Sequence, residues 1–353
     1  MAIDETKLNE FLGRFVGDLG ATLSAPLVLI GERLGLYKGL ADGGPQTAAE
    51  LAARTGTDER YIREWLCAQA AGGYVQYDEG DDAFYVTEEQ AFCLADETSP
   101  AYVPGGLQVA ISTVRDMDRI EQSIRTGAAL GWHEHDHNLF EGTERFFRPG
   151  YVGNLVEAWL PALDGVVEKL KAGARVADVG CGHGASTIIL AEAFPNSTFV
   201  GFDYHQASID VARKRAADAG VSDRVTFEVA RAQDFPGAGY DLVCFFDCLH
   251  DMADPEGAIR HVRRSLADDG TWLLVEPAAA ETVAESIASP VGRVFFAAST
   301  SICTPAGRDG EPGLALGNQV PEARWRELIT ANGFATLRRA TETPFNRVFA
   351  ARP

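Results

Sequence analysis

The chain has 353 residues, of which 46% are hydrophobic, and it carries a formal net charge of −20. This length can hold two domains with a large core, and the acidic balance argues against nucleic acid or an anionic membrane as a partner. No targeting leader and no apolar run long enough to span a bilayer is expected.

The six cysteines include no C-x-x-C pair. Three of them, Cys181, Cys244 and Cys248, fall in predicted strand ends or turns. Reduced thiols are therefore the expected state, and they predict a cytoplasmic location.

The first forty residues carry apolar side chains at helical spacing. The pattern predicts two helices within residues 8–40, joined near Pro26. The first helix has an apolar stripe: Leu8, Phe11, Leu12, Phe15 and Leu19. Such a stripe forms either a core or an interface, and we expect a homodimer built mainly through residues 1–100.

The next segment has the pattern of a winged helix. Thr47 and Glu50 predict a capping box at the start of a short helix. A second helix is predicted from about Asp58 to Ala71, and two short strands then flank an acidic turn at residues 78–82. Helix, turn, helix and hairpin in this order indicate a winged helix.

A winged helix suggests DNA binding, and the charges of this one oppose that function. Residues 1–100 hold seven Lys and Arg against eighteen Asp and Glu, and the predicted wing reads Asp-Glu-Gly-Asp-Asp. Release of counterions from DNA requires clustered cations. We therefore favour a dimerisation and lid module, with a DNA-binding regulator as the alternative.

Residues 97–150 are predicted to form a connector with its own helix at about 104–125. Three histidines at alternate positions follow this helix: His133, His135 and His137. On a strand they would share one face and could bind a metal. A metal site also needs fixed geometry and residues that orient its ligands, and the sequence shows neither, so we favour a polar loop at the substrate mouth and assign no metal site.

A glycine-rich turn at residues 176–184 organises the second half of the chain. An apolar run ends in Gly180, Gly182 and Gly184, and a helical pattern follows. Glycine permits positive φ and close approach of a ligand to the backbone, and the helix start offers free N–H groups. The turn predicts a nucleotide-type cofactor, but the glycines alone also fit a dinucleotide site.

Strands and helices then alternate, which predicts a parallel sheet with its ligands at the carboxyl ends of the strands. Polar side chains follow successive predicted strands at those ends: Asp178, Asp203, Asp247, His250 and Glu276. Their convergence predicts one active site. Asp203, which closes the second strand, can accept both hydroxyls of a ribose.

These motifs resemble the class I S-adenosylmethionine-dependent methyltransferases, whose first motif is similar to Val-x-Asp-x-Gly-x-Gly-x-Gly and whose second strand ends in an acidic residue. The resemblance covers residues 151–353. It implies an α/β fold with a Rossmann-like seven-stranded sheet behind an N-terminal winged-helix domain, and S-adenosylmethionine as cofactor. The cofactor-binding residues that it implies are Asp178, Gly180, Gly182, Asp203, Tyr204, Ala232, Gln233, Phe246 and Asp247.

The pair His250-Asp251 resembles the His-Asp pair of small-molecule O-methyltransferases, in which the histidine is the base. Glu276 holds the place of the acidic residue that orients this base. Met252 departs from the family, which usually has tryptophan there. The resemblance implies catalysis by His250, Asp251 and Glu276 in O-methylation of a small hydroxylated molecule.

Two other functions stay open. One is a cofactor-binding transcriptional regulator that uses the winged helix, and the other is an N- or C-methyltransferase. The expected domains are a winged-helix dimerisation domain at 1–96, the connector at 97–150 and the methyltransferase domain at 151–353. Residues 277–320 are expected to be a long loop-like insertion that covers the substrate site, and a terminal hairpin follows.

Overall fold

The computed structural model describes residues 3–353 and divides the chain into two compact units. The first unit contains the chain up to Ile111 together with Glu141–Pro149. The second contains Ser112–Phe140 and Gly150–Pro353.

The helices of the described chain are, in order, Glu5–Arg33, Leu36–Gly43, Ala48–Thr55, Glu59–Ala71, Glu88–Leu94, Pro104–Arg115, Met117–Thr126, Asn138–Asn154, Val166–Ala172, Ala185–Ala193, Gln206–Asp218, Pro255–Ser265, Val283–Ala288, Gly292–Ala298, Thr304–Ala306 and Glu322–Ala331. Tighter 3-10 turns occur at Trp132–Glu134, Leu160–Ala162 and Leu249–Asp251, and wider π-helical turns occur at Leu155–Trp159 and Ser299–Cys303. The strands are β1 Gln76–Asp78, β2 Ala83–Tyr85, β3 Arg175–Val179, β4 Thr198–Asp203, β5 Val225–Val229, β6 Tyr240–Phe246, β7 Leu266–Pro277, β8 Thr336–Glu342 and β9 Asn346–Arg352.

The first unit contains the expected winged helix. Thr47 and Glu50 form the capping box of Ala48–Thr55, because each side chain bonds the other residue's backbone N–H. Asp58 caps Glu59–Ala71, and β1 pairs antiparallel with β2 across the acidic turn. The helices enclose a small apolar core: Val28, Leu36, Leu40, Leu51, Ile62, Trp65, Leu66 and Phe84.

The helix predicted to break at Pro26 is continuous from Glu5 to Arg33. Pro26 removes one helical hydrogen bond, but the packing of Val28 and Leu29 in the core holds the helix on course beyond it. The break falls instead at Gly35, whose φ of 67° only glycine adopts easily.

The same helix is long and apolar enough, by length and composition, to cross a membrane. The expectation that no segment has this property was wrong, because the charged residues of the helix lie on either side of residues 19–31 and leave that stretch without a charge. Most of its apolar side chains are exposed, so the helix presents an apolar surface that nothing in the first unit covers.

The connector helix predicted over residues 104–125 is interrupted at Asp116. It forms two helices, Pro104–Arg115 and Met117–Thr126. Asp116 is buried, and its carboxylate accepts the backbone N–H of Asp136 at 2.8 Å. That long-range bond takes the residue out of the helical path.

The second unit is built on a seven-stranded sheet in the order β5-β4-β3-β6-β7-β9-β8. The five strands from β5 to β7 are parallel, and β9 joins antiparallel to both β7 and β8. This confirms the expected α/β architecture. The parallel strands bring the carboxyl ends of β3, β4, β6 and β7 to one edge of the sheet.

The segment at residues 151–171 is helical in parts, because the π-helical turn Leu155–Trp159 and the 3-10 turn Leu160–Ala162, which contains Pro161, divide it. Residues 277–320 differ from their expected form: expected as a loop, they contain Val283–Ala288 and an unbroken helical stretch from Gly292 to Ala306 with a π-helical turn inside it. Pro290, Pro305 and the glycines of this insertion concealed its helices.

We expect Gly184→Ala to destabilise the second unit. Gly184 has a φ of 80°, and an added Cβ would lie 2.6 Å from the ring of Phe227. The left-handed backbone costs about 1–2 kcal/mol, and overpacking adds about 1–3 kcal/mol. Thermal unfolding without ligand should show a clearly lower midpoint. Gly150→Ala, where the added Cβ meets nothing within 4 Å, is the control, and equal midpoints for both variants would contradict the expectation.

Candidate active site

The glycine turn after β3 places its three glycines in backbone conformations that other residues avoid. The φ angles of Gly180, Gly182 and Gly184 are 76°, 52° and 80°. A Cβ at Gly180 would lie 2.7 Å from the sulfur of Cys248, whereas a Cβ at Gly182 would meet nothing within 4 Å. The turn therefore packs tightly against the residues after β6 and leaves open space at Gly182.

Asp178 lies at the end of β3 and is almost fully buried. Its Oδ2 accepts hydrogen bonds of 2.6 Å from the hydroxyls of both Ser186 and Thr187, at the start of the following helix. Burial raises the pKa of the Asp178 carboxyl to about 6, although the two hydroxyls oppose that shift. The other oxygen, Oδ1, is buried and has no partner among the described residues.

Asp203 ends β4 and holds the glycine turn. Its Oδ2 accepts the backbone N–H of Gly182 at 3.0 Å, and its Oδ1 accepts that of His205 at 2.9 Å. The next residue, Tyr204, is exposed, and its hydroxyl lies 3.4 Å from Nδ1 of His133. The connector thus passes beside the end of β4.

Three further residues of the predicted cofactor set flank this edge. Ala232 is buried after β5, and Gln233 donates its amide to the carbonyl of Asp254 at 3.1 Å. Phe246 ends β6 and packs against two aromatic rings, with ring centroids 5.3 Å from Tyr151 and 6.4 Å from Trp159.

Asp247 follows β6 in a strained backbone conformation. Its φ is 51°, in the left-handed region that few residues other than glycine occupy. Asn346 of β9 donates to its Oδ1 at 2.7 Å, and Oδ2 is buried without a partner among the described residues. Burial and the nearby Glu276 charge raise the pKa of the Asp247 carboxyl. Strain of this kind is common at functional sites.

His250 and Glu276 form a deeply buried polar pair at this edge, with 3% and 1% of their surfaces exposed. Nδ1 of His250 lies 2.6 Å from Oε2 of Glu276, and the backbone N–H of Leu249 donates to the other carboxylate oxygen at 3.0 Å. Glu276 therefore fixes the ring orientation and the tautomer with a proton on Nδ1, which leaves Nε2 for other partners.

Asp251 and Cys303 lie on the Nε2 side of His250. The Oδ1 atom of Asp251 is 3.1 Å from Nε2. Burial lowers the pKa of His250, but the charges of Asp251 and Glu276 outweigh it and raise the pKa well above its usual value. Burial raises the pKa of the Cys303 thiol to about 12, and the Asp251 charge adds to this effect.

The three connector histidines have different surroundings. His133 lies against Tyr204 and 3.8 Å from a carboxylate oxygen of Asp309. His135 is buried, with Nδ1 2.9 Å from Asp116 and Nε2 without a partner among the described residues. His137 is exposed. The shared strand face that a metal site would need is not formed, because a 3-10 turn at Trp132–Glu134 rotates the chain.

The structure brings the predicted strand-end residues to one edge of the sheet and adds others that sequence reasoning missed. These are Cys303 from the insertion and Asn346 from β9, which contact His250 and Asp247 from parts of the chain far away in sequence. The alternating histidines were a signal for His135, but no local pattern marks its partner Asp116.

Two family models match the chain. Residues 22–96 match an Rv2258c-like winged helix-turn-helix domain, and residues 170–296 match a methyltransferase domain.

Two curated relatives carry methyltransferase names. The 27-O-demethylrifamycin SV methyltransferase of Amycolatopsis mediterranei is 38% identical over 127 residues, which cover 33% of this chain and 46% of that protein. The mitomycin biosynthesis 6-O-methyltransferase of Streptomyces lavendulae is 25% identical over 246 residues, which cover 67% of this chain and 69% of that protein. The chain thus matches about half the length of the first relative and more of the second.

A solved structure extends the likeness over both units. Human N-acetylserotonin methyltransferase, in complex with S-adenosylmethionine, has a TM-score of 0.68 and 17% identity, and the match covers 100% of this chain and 99% of that chain. The chain therefore combines an N-terminal winged helix-turn-helix domain with a methyltransferase domain, and it shares its fold with this methyltransferase solved with S-adenosylmethionine.

Proposed function

We propose that the protein transfers a methyl group from S-adenosylmethionine to a hydroxyl oxygen of a small molecule, with His250 as general base. The observation that carries this proposal is the 2.6 Å contact between His250 and Glu276, buried at the carboxyl edge of the sheet. Cys248, two residues before His250, packs against the glycine turn. The base and the proposed cofactor site are therefore neighbours.

The residues of the glycine turn fit S-adenosylmethionine. The open space at Gly182 admits a ligand against bare backbone. Buried oxygens of Asp178 and Asp247 lack partners among the described residues and suit the hydrogen-bond donors of a cationic ligand. Asp203 keeps free lone pairs beside its two backbone bonds, so it can accept the ribose hydroxyls. Tyr204, Ala232, Gln233 and Phe246 would surround the nucleoside.

The bound cofactor supplies an electrophilic methyl group on a sulfonium, so the protein has to position the acceptor and remove its proton. Nε2 of His250 would accept the proton of the acceptor hydroxyl as the acceptor oxygen takes up the methyl group. Glu276 keeps the Nδ1 proton in place and stabilises the imidazolium that results. Asp251, at 3.1 Å from Nε2, stabilises the same charge.

His250 accepts a proton only in its neutral form. The carboxylates of Asp251 and Glu276 raise its pKa, so the ring is more often protonated at neutral pH than an ordinary histidine. We therefore propose that activity increases as pH rises through this raised pKa and is lost below it.

The alternative of a DNA-binding regulator has less support from the first unit. Arg63, on the second helix of the winged helix, pairs with Asp82 of the wing through contacts of 2.9 and 3.2 Å. Arg60 pairs with Glu64 at 2.5 Å. Both cations are thus already neutralised within the protein, and binding of phosphate groups would have to break these pairs.

Two arguments support oxygen as the acceptor atom: the chemistry of the base and the names of the relatives. An oxygen acceptor needs deprotonation, which a histidine–carboxylate pair provides. The rifamycin and mitomycin relatives are named for methylation at oxygen. An N- or C-methyltransferase remains the alternative, and a panel of phenols, amines and activated carbon acids with isotope-labelled cofactor distinguishes them.

We also propose that the protein is a cytoplasmic homodimer joined through its first hundred residues. Exposed apolar side chains line Glu5–Arg33 at helical spacing: Leu8, Leu12, Phe15, Leu19 and Leu23. A second copy covers such a surface, whereas the net charge of −20 disfavours an anionic membrane.

Each of the three expected domains has its own role in the proposed function. Residues 1–96 provide dimerisation, and residues 97–150 form the substrate mouth. Residues 151–353 bind the cofactor and carry out catalysis, with the insertion at 277–320 over the substrate.

Asp203→Ala should weaken binding of S-adenosylmethionine at least tenfold. Hydrogen bonds to a charged group contribute about 1.5–3 kcal/mol each, and this carboxylate also holds Gly182. Isothermal titration calorimetry measures the affinity, and circular dichroism checks that the fold is retained. Asp210→Ala, on the exposed face of the next helix, is the control. Unchanged affinity in Asp203→Ala would show that the ribose assignment is wrong.

His250→Ala should lower kcat on a hydroxyl acceptor by about 10²–10⁴-fold, the usual contribution of a general base, with cofactor affinity nearly unchanged. Glu276→Gln should lower kcat by a smaller factor, because the amide oxygen can still accept a hydrogen bond from the Nδ1–H group of His250. It should also move the acidic limb of the pH–rate profile to lower pH, since one of the two charges that raise the His250 pKa is gone.

The pH–rate profiles separate a base from a packing residue. If His250→Ala keeps more than a third of the wild-type rate while chemistry limits turnover, His250 is not the base. If Glu276→Gln lowers the rate without moving the acidic limb, Glu276 serves the fold alone.

Phe15→Glu should convert the dimer to a monomer, because it places a charge in the centre of the apolar stripe. Light scattering at micromolar concentration measures the mass. Ile124→Glu, at a position 67% exposed on another helix, should leave the dimer intact. A monomeric wild-type protein, or one that partitions onto neutral phospholipid vesicles instead, would refute the dimer.

A further inference from the structure

Three side chains that can bind a transition metal lie close together, and the proposed base, His250, is one of them. His250, Asp251 and Cys303 each offer one ligand atom, and these atoms all lie within 4.8 Å of one another. His250 and Cys303 are buried, and the side chain of Asp251 is 18% exposed. Because Nδ1 of His250 is held by Glu276, the atom left for a metal is Nε2.

The surroundings of the cluster match those of built metal sites. A ligating histidine commonly donates its other N–H to a carboxylate, which sets the ring orientation and raises its basicity. Glu276 does this for His250 at 2.6 Å. Cys303 ends the π-helical turn Ser299–Cys303, an insertion in a helix that often occurs at functional sites. The ligands therefore come from two helical turns, Leu249–Asp251 and Ser299–Cys303.

The charge around the cluster also favours a cation. The carboxyls of Asp247, Asp251 and Glu276 lie close enough to interact with one another and with a single imidazole. Even with a protonated ring, acidic groups outnumber basic ones among these residues. A bound cation offsets the repulsion between buried carboxylates.

We propose that His250, Asp251 and Cys303 form an inhibitory binding site for a borderline-soft divalent cation of the Zn²⁺ type. Imidazole and thiolate ligands select Zn²⁺ and its Co²⁺ analogue over Mg²⁺ and Ca²⁺, which prefer oxygen. As the metal–sulfur bond forms, the thiol proton leaves to solvent. The bound cation occupies Nε2 of His250, so the ring can no longer accept a proton from the acceptor.

The proposal that a metal binds depends only on the three ligand residues. The proposal that the metal inhibits rests on the proposed function, in which His250 is the base. Titration of the full-length protein with Co²⁺, without other metals, should give one equivalent of a thiolate-to-metal charge-transfer band. Cys303→Ser should abolish the band, and Glu276→Gln should weaken binding by about 10–100-fold, as loss of a supporting carboxylate does elsewhere. Cys67→Ser, which removes an exposed thiol, should leave the band unchanged.

Methyl transfer is then measured with EDTA and with Zn²⁺, and each variant is compared with its own rate in EDTA. Wild type should be active in EDTA and inhibited by micromolar Zn²⁺ but not by Mg²⁺, and Cys303→Ser should resist Zn²⁺. Absence of the Co²⁺ band, or its persistence in Cys303→Ser, overturns the site. Loss of wild-type activity in EDTA overturns the inhibitory role. Inactivity on every hydroxyl acceptor under both conditions, with the band intact, refutes the proposed function and leaves the metal site standing.

Discussion

The buried contact between His250 and Glu276 sets the arrangement of everything at this edge of the sheet. Glu276 ends β7, and His250 lies in the turn after β6, so the 2.6 Å distance depends on the parallel pairing of these two strands. The second oxygen of Glu276 holds the backbone of that turn through Leu249. One carboxylate thus orients the ring and shapes the segment that carries it, and a buried carboxylate with two bonds is far less costly than an unpaired one.

The glycine turn and the histidine turn are coupled by direct packing. Cys248 occupies the space that a side chain at position 180 would need, and Asp247 adopts its left-handed backbone just before it. Asn346 of β9 bonds the Asp247 side chain and helps to hold that conformation. The strained backbone of Asp247 and the absence of a side chain at Gly180 together allow the glycine turn and the histidine turn to make contact at the strand ends.

Much of this organisation could be predicted from local patterns. The glycine spacing, the acidic end of β4 and the alternation of strands and helices located the sheet and the residues at its edge, because the carboxyl ends of parallel strands always converge. The winged helix was recognisable from its caps and acidic turn. The helix break predicted near Pro26 was wrong, because tertiary packing can keep a helix continuous past one missing hydrogen bond. Cys303 reaches His250 from a helical insertion, and Asp116 reaches His135 from a helix break, and neither leaves a periodic trace in the sequence.

The position of β9 bears on how the protein is made. Among the strands of the sheet β9 is synthesised last, yet it lies between β7 and β8 and carries the asparagine that holds Asp247. Until β9 leaves the ribosome, the outer edge of β7 has no partner, and the turn beside the histidine lacks one of its supports. A nascent chain therefore exposes a strand edge of the kind that promotes aggregation, and the sheet of the second unit closes only after residues 346–352 have emerged.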